Sequence, residues 1–305
     1  DDKDEKLNKI DFIKSWLTNN KVSWKNEINI NTKIGIIYKE YFMVNEARDC
    51  TIVCLNIEKR EFGYLHEFTA NSYQSLGMLD IMSGKYSSAK ENHNHSFEIR
   101  NKIFETSNSQ ITDSIHNLAL CELYEQNLDK AVEMYEQVLS KRLNYDGKIS
   151  VNSAQSMSNL GTSLLDSEID EKRGYELIHK SFQINEKLLG PNNKKNTLLM
   201  PYLAREKYEL GAVEEAEIIL KKNIEIKIKI FGNLNVSVAF SYNHLADFQL
   251  TQGNIKLALR LNLKAQKIYQ NIIVDPNYSF DNLKNIADLY FEYENTIMAI
   301  RYYNK

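Results

Sequence analysis

Seven antiparallel helix pairs, stacked one on the next with no strand between them, are what this sequence predicts, so the class is all-α. Three observations carry that reading. The 305 residues include only 3 Pro and 11 Gly, together about 5% against an average near 12%, which leaves few turns for so long a chain. A small residue is followed twelve positions later by a second one, in Gly35/Ala47, Gly77/Ala89, Ala119/Ala131, Ala204/Ala216, Ala246/Ala258 and Ala287/Ala299, and thirteen later in Gly161/Gly174. The second members follow one another at 42, 42, 43, 42, 42 and 41 residues, and a period of this size marks a repeat architecture.

Residues 1–27 stand outside the period. There Leu7, Ile10, Ile13 and Leu17 share one helical face, which predicts a capping helix over the first repeat; Trp16 and Trp24 are the only tryptophans. Residues 28–305 hold the seven units, the last incomplete. In each unit the small residues mark where two helices come close, because a side chain larger than methyl would hold the backbones apart. Apolar residues such as Leu118, Leu120 and Leu123, or Leu245, Phe248 and Leu250, flank them at helical spacing and read as core. One unit cannot bury its own apolar faces, so its neighbours complete the core.

The turn inside each unit is marked by Gly84, Gly211 and Gly253, each five residues before the second small position, where glycine supplies the left-handed backbone that ends a helix. Phe42, Gln126, Ile169 and Glu294 stand there in the other units, which predicts turns that close differently. The fourth unit also carries an extra residue within "LLDSEIDEKRGYE", so a distorted turn is expected. "KNIEIKIKIF" alternates like a strand, but the repeat register makes it a helix with exposed lysines.

This pattern resembles the tetratricopeptide repeat, whose two-helix unit carries small residues at matching places. The 42-residue period is similar to the longer variety found in kinesin light chains, whose second helix ends in Ile-x-x-Lys, one residue, an apolar residue and Gly. "INEKLLG" (184–190) and "IKIKIFG" (226–232) match it; "IRNKIFE" (99–105) lacks the Gly, and "IEKREFG" (57–63) has Arg60 for the Lys. The resemblance implies a right-handed superhelical solenoid whose first helices line a concave groove. It also implies groove positions three before, and one, four and five after, the first small residue. On this chain those include Gln74, Met78 and Met82; His116 and Leu120; Ser158 and Thr162; Arg205 and Tyr208; Asn243 and Asp247; Lys284 and Asp288. Amide and guanidinium groups there can hold a peptide backbone or carboxylate, and Met and Tyr offer adaptable apolar contact. The subclass that clamps chaperone C-termini needs Lys and Asn in a set pattern. Here Lys284 is followed by Asp288, so no clamp forms.

No motif for catalysis or for a cofactor is present: no Gly-rich phosphate loop, nucleophile elbow or His-Glu-x-x-His. His93 and His95 of "HNH" lie about 200° apart on a helix and cannot easily share a metal. Three cysteines, Cys50, Cys54 and Cys121, are too few and too odd for a disulfide framework and suit a reducing, cytoplasmic setting. A net charge of -3 gives no basic face for nucleic acid, and no run of 18 apolar residues spans a membrane. The expected function is therefore a noncatalytic scaffold that binds a protein or extended peptide in its groove. The alternative is a regulatory or sensor module of a larger enzyme or signalling protein, for example a protease. A start at Asp1 and a seventh unit that stops at Lys305 favour a piece of a longer chain with further domains. A receptor for short signalling peptides ranks lower, because residues 1–27 are too short for the helical bundle such receptors carry.

Overall fold

The computed structural model describes residues 2–41, 43–105, 108–271 and 276–304. Among them are fifteen α-helices and no strand. A first helix, α1 (Asp2–Asn19), precedes seven pairs: α2 (Trp24–Glu40) with α3 (Val44–Phe62), α4 (Glu67–Met82) with α5 (Tyr86–Ile103), α6 (Ser109–Tyr124) with α7 (Leu128–Tyr145), α8 (Val151–Asp166) with α9 (Glu171–Leu189), α10 (Asn196–Glu209) with α11 (Val213–Phe231), α12 (Val236–Thr251) with α13 (Ile255–Asn271), and α14 (Pro276–Glu292) with α15 (Thr296–Tyr303). The chain forms two compact units, Asp1–Tyr145 and Asp146–Lys305. Within each, the two helices of a pair pack together and the second helix of one pair packs on the first of the next.

The small residues sit where the period puts them. Ala89, Ala119, Ala131, Ala216 and Ala287 are completely buried. At Gly77 the room is taken by the His93 ring, 2.6 Å from where a methyl would lie. Gly161 and Gly174 face each other, so that a methyl on either would meet the other's carbonyl oxygen at 2.9 or 3.0 Å. Capping follows the period as well. Ser23, His66, Asn108, Ser150, Asn193 and Asn235 recur at 42 or 43 residues, and each accepts a backbone N–H from the first turn of a first helix, satisfying donors that a helix start leaves open. Three second helices end on Gly63, Gly190 and Gly232 at φ 86°, 86° and 80°.

The turns depart from expectation. Gln126 and Glu294 adopt φ 63° and 59°, the same left-handed state as glycine, with the same hydrogen bonds: Asn127 N–H donates to the Glu122 carbonyl as Lys85 N–H does to that of Asp80. These turns close as the glycine turns do, because the hydrogen-bonded geometry outweighs the cost of a side chain. In the fourth unit the left-handed residue is Glu168 (φ 56°) and not Ile169. It lies seven residues after Gly161, as Gly84 does after Gly77. The turn itself is kept, and Ile169 is the extra residue between it and the cap Asp170. Phe42 lies outside the described residues.

In unit 1, Ile10 of α1 is buried with Ile34, Tyr38, Ala47 and Cys50, and Leu7 and Ile13 pack against them. Trp24 begins α2 and meets Phe62 edge-on, ring centroids 5.2 Å apart. In unit 2 one cluster joins Ala204, Ala216 and Leu220 to Leu245, Ala246, Ala258 and Leu289. Residues 222–231 are helical in α11, as expected, but Lys227 is buried and not exposed. No helix among the described residues is long and apolar enough to cross a membrane.

Candidate functional site

In each unit a cleft is lined by two consecutive first helices and by the second helix between them. In unit 2, α10 and α12 flank a cavity of about 630 Å³ floored by Leu220 of α11. Leu198, Tyr202 and Tyr208 line one wall; Phe248, His244, Asp247 and Thr251 line the other. Tyr208 meets Phe248 edge-on with centroids 5.7 Å apart, so the aromatic rings meet across the cleft.

Arg205 is the anchor of this cleft. Its Nε donates to the Tyr175 hydroxyl at 3.1 Å and lies 3.4 Å from a Glu209 oxygen. The guanidinium stands 5.9 Å from the ring centres of both Tyr175 and Tyr202. Tyr175 in turn donates to Glu209 at 2.8 Å, and Tyr202 to Asp166 at 3.1 Å. The guanidinium is thus fixed by stacking and by Nε, leaving its terminal nitrogens for a planar acceptor. Burial and the nearby Lys227 hold the His244 imidazole below its ordinary value, and burial raises the Asp247 carboxyl.

In unit 1, α2 and α4 flank a cavity of about 460 Å³ floored by α3. Its walls mix polar and apolar side chains: Asn31, Thr32 and Ile36 from α2, and Asn71, Ser72, Gln74, Ser75, Met78 and Leu79 from α4. Cys54 and Glu58 of α3 belong to the floor.

The structure brings five of the thirteen predicted groove residues to these clefts: Gln74 and Met78 in unit 1, Arg205, Tyr208 and Asp247 in unit 2. The other eight line neither, and Met82 packs against the cluster around Tyr38. His116 is half-buried with its ring 5.6 Å from Tyr135, and Leu120 is half-buried beside it. Ser158 is buried and Thr162 half-buried, and each bonds back to its own helix. Asn243 donates to the Tyr269 hydroxyl at 3.3 Å. Lys284 is exposed, and Asp288 accepts from Tyr303. Positions two before the first small residue, Ser75, Tyr202 and His244, line the clefts but were missed. Their polarity and ring content were the available signal.

A second missed feature is a column eleven residues after each second small position: Glu58, Arg100, Arg142, Asn185, Lys227 and Tyr269. All six are buried. Arg100 reaches across its gap to Asn71 at 2.7 Å and Ser114 at 2.9 Å, and Arg142 pairs with Asp113. Lys227 has no such partner among the described residues, and burial alone lowers its ammonium to about 8. The Ser72 side chain favours the charged form of Glu58, yet burial still raises its carboxyl.

No group of three His, Cys, Asp or Glu side chains gathers as a metal site among the described residues. His93 is wholly buried, and burial pushes its imidazole down to about 4; His95 bonds the Tyr64 hydroxyl at 2.9 Å. The three thiols are free and buried. Burial raises Cys50, takes Cys54 to about 11 and Cys121 to about 12, so they remain protonated and unreactive.

Comparison with known proteins places this geometry. A Podosopora anserina kinesin light chain protein with nearly identical TPR-like repeats superposes with a TM-score of 0.52 at 21% identity, covering 67% of this chain and 95% of that one. The chain has the tetratricopeptide-like repeat fold. The apo form of RapI matches this fold over 91% of the chain and 95% of its own, with a TM-score of 0.62 at 14% identity. The tetratricopeptide repeat sensor protein of the STAND class from Pyrococcus horikoshii matches over 91% of the chain but 41% of its own, with a TM-score of 0.59 at 13% identity. In sequence, the Protein clueless of Drosophila persimilis is 27% identical over 95 residues, 31% of this chain. That stretch is 7% of the length of the Drosophila protein. No family model matches.

Proposed function

We propose that this tetratricopeptide-like chain is a noncatalytic scaffold that binds a partner protein through an extended peptide seated against its first helices, in a reducing, cytoplasmic compartment. The observation that supports this most directly is the cleft between α10 and α12. It combines an apolar floor, facing aromatic rings and one guanidinium pre-set by Tyr175, Tyr202 and Glu209. That is the composition of a peptide subsite: rings supply contact area at low entropic cost, and a fixed Arg reads a carbonyl or carboxylate. No nucleophile is paired with a base there, which argues against turnover.

The test is selection of displayed peptides on the intact chain, followed by affinity measurement on Arg205→Ala, Phe248→Ala and Asn243→Ala. The first two should weaken binding by about tenfold or more, with no consumption of the peptide. Asn243→Ala should change it little, because that amide is turned to Tyr269. Absence of saturable binding, or equal affinity across all variants, would overturn the reading.

One observation supports a second role, as the sensor part of a larger signalling protein. The fold of nearly the whole chain recurs in 41% of a protein that carries a tetratricopeptide repeat sensor. Sequencing the complete reading frame decides it: an adjoining effector domain supports this role, and a frame confined to the repeats rejects it.

A further inference from the structure

We propose that the cleft between α2 and α4 is a subsite for a cationic side chain, arginine or lysine, of a bound peptide, with Glu58 as its acceptor. Glu58 is 7% exposed, yet it borders a cavity of about 460 Å³. Of the groups around it, the Ser72 side chain favours its charged form. Its Oε2 is buried and has no hydrogen-bond partner. A carboxylate has room for several donors and is costly to bury with fewer. At two other positions of the same column the charge is met from within the protein. Arg100 has Asn71 and Ser114, and Arg142 has Asp113. The chain itself leaves the Glu58 position unmatched.

The rest of the cleft fits a peptide carrying such a side chain. Asn71, Gln74 and Ser75 present amide and hydroxyl groups suited to a peptide backbone. The cation lining this cleft, Lys39, stands at its other end. Gly35 lies against Ala47 and Cys50, and Thr32 against Cys54, so the antiparallel pair puts Lys39 beyond Ala47 and Glu58 beyond Cys54. Ala47 and Glu58 are eleven residues apart on α3, about 16 Å along the axis. Lys39 therefore does not neutralise Glu58. The Arg100 guanidinium, which shares Asn71 with this region, is already bound to Asn71, Ser114 and the Gln110 carbonyl.

The proposal rests on the peptide-binding reading for its biological ligand, but its chemistry can be tested separately. The intact chain and Glu58→Gln, which keeps the size of the side chain and removes its charge, are compared with two probes. The first is methylguanidinium, followed through the amide resonances of Asn71, Ser72 and Gln74. The second is a pair of labelled peptide pools, random in Gly, Ala, Ser and Leu, with one fixed arginine or its neutral isostere citrulline. The expected results are saturable shifts with methylguanidinium and an arginine preference of at least about tenfold. Glu58→Gln should lose both while binding the citrulline pool unchanged. Equal binding of the two pools together with no methylguanidinium shift overturns the subsite, even if peptides bind. Methylguanidinium shifts that Glu58→Gln abolishes, without binding of either pool, uphold the subsite and count against the peptide reading. Retention of the preference in Glu58→Gln overturns the assignment.

Discussion

At the scale of single residues, the side chains that depart from the repeat pattern carry the sharpest consequences. His93 fills the place a methyl would take on Gly77, so that pair substitutes for the usual Ala contact. Its imidazole is neutral in the fold and held down to about 4 by burial, with the neighbouring His116 and Arg100 adding to it. An unfolded histidine protonates near 6.5. Between those values the unfolded state binds the extra proton, so this contribution is complete above pH 6.5 and is lost as pH falls toward 4. Urea titrations should show the intact protein losing about 2 kcal/mol relative to His93→Leu between pH 7 and pH 5; parallel profiles would refute this origin. Lys227 gives the opposite kind of case, a cation whose burial opposes the fold at neutral pH. Lys227→Met should raise stability by about 1–3 kcal/mol at pH 7, read as a higher melting temperature, and an unchanged or lower one would show that the ammonium is compensated. Neither position was legible beforehand: in "HNH" the sequence excludes a shared metal but does not say which ring is buried, and "KIKI" reads as exposed lysines until the column that holds Lys227 is known.

At the scale of helices and turns, the sequence was most readable. The period located fourteen paired helices, because each depends on a local small residue and its flanking apolar positions. It failed where backbone geometry has more than one solution. Left-handed turns were expected only at glycine, yet Gln126, Glu168 and Glu294 adopt the same conformation. The hydrogen bonds closing the turn outweigh a cost of about 1–2 kcal/mol for a side chain there. Gln126→Gly should therefore stabilise the chain by about 0.5–1 kcal/mol, part of the relief being returned as glycine's greater unfolded-state entropy. A loss on equilibrium unfolding would mean that the Gln side chain supports the turn. Repeat logic gives the wrong sign at Gly174. Its period-mates are alanines, so Ala looks like an improvement. A methyl there would lie 2.8 Å from Leu165 and 3.0 Å from the Gly161 carbonyl, where overpacking costs about 1–3 kcal/mol. Gly174→Ala should lower the unfolding midpoint; a rise would show that α8 and α9 separate freely. The groove was legible only in part for a related reason. Register places a residue on the first helix but does not say whether its side chain turns outward, as Arg205 does, or bonds inward, as Asn243 does.

For the whole molecule, the two units matter more than the seven repeats. Each has apolar clusters of its own: Ile10, Ile34, Tyr38 and Cys50, then Leu55, Tyr73 and Ile99 in unit 1, and Ala204, Leu220, Leu245 and Leu261 in unit 2. Regular spacing across residues 35–299 hides that division, because the period continues through Tyr145 and Asp146 without a break in count. In a repeat protein stability is close to a sum over units and their nearest neighbours, so a run of complete pairs can fold without the rest. Residues 1–145 hold three complete pairs and begin with α1, whose Ile10 is buried against the first pair. Burial of that one side chain is worth about 1.5–3 kcal/mol, enough for α1 to protect an end that would otherwise fray. The fragment 1–145 should thus be helical by circular dichroism and melt in one cooperative step, and Ile10→Ala should lower its midpoint more steeply than Phe12→Ala, since Phe12 is 72% exposed. A fragment that is unfolded, or one indifferent to Ile10, would show that this unit gains its stability from beyond Tyr145.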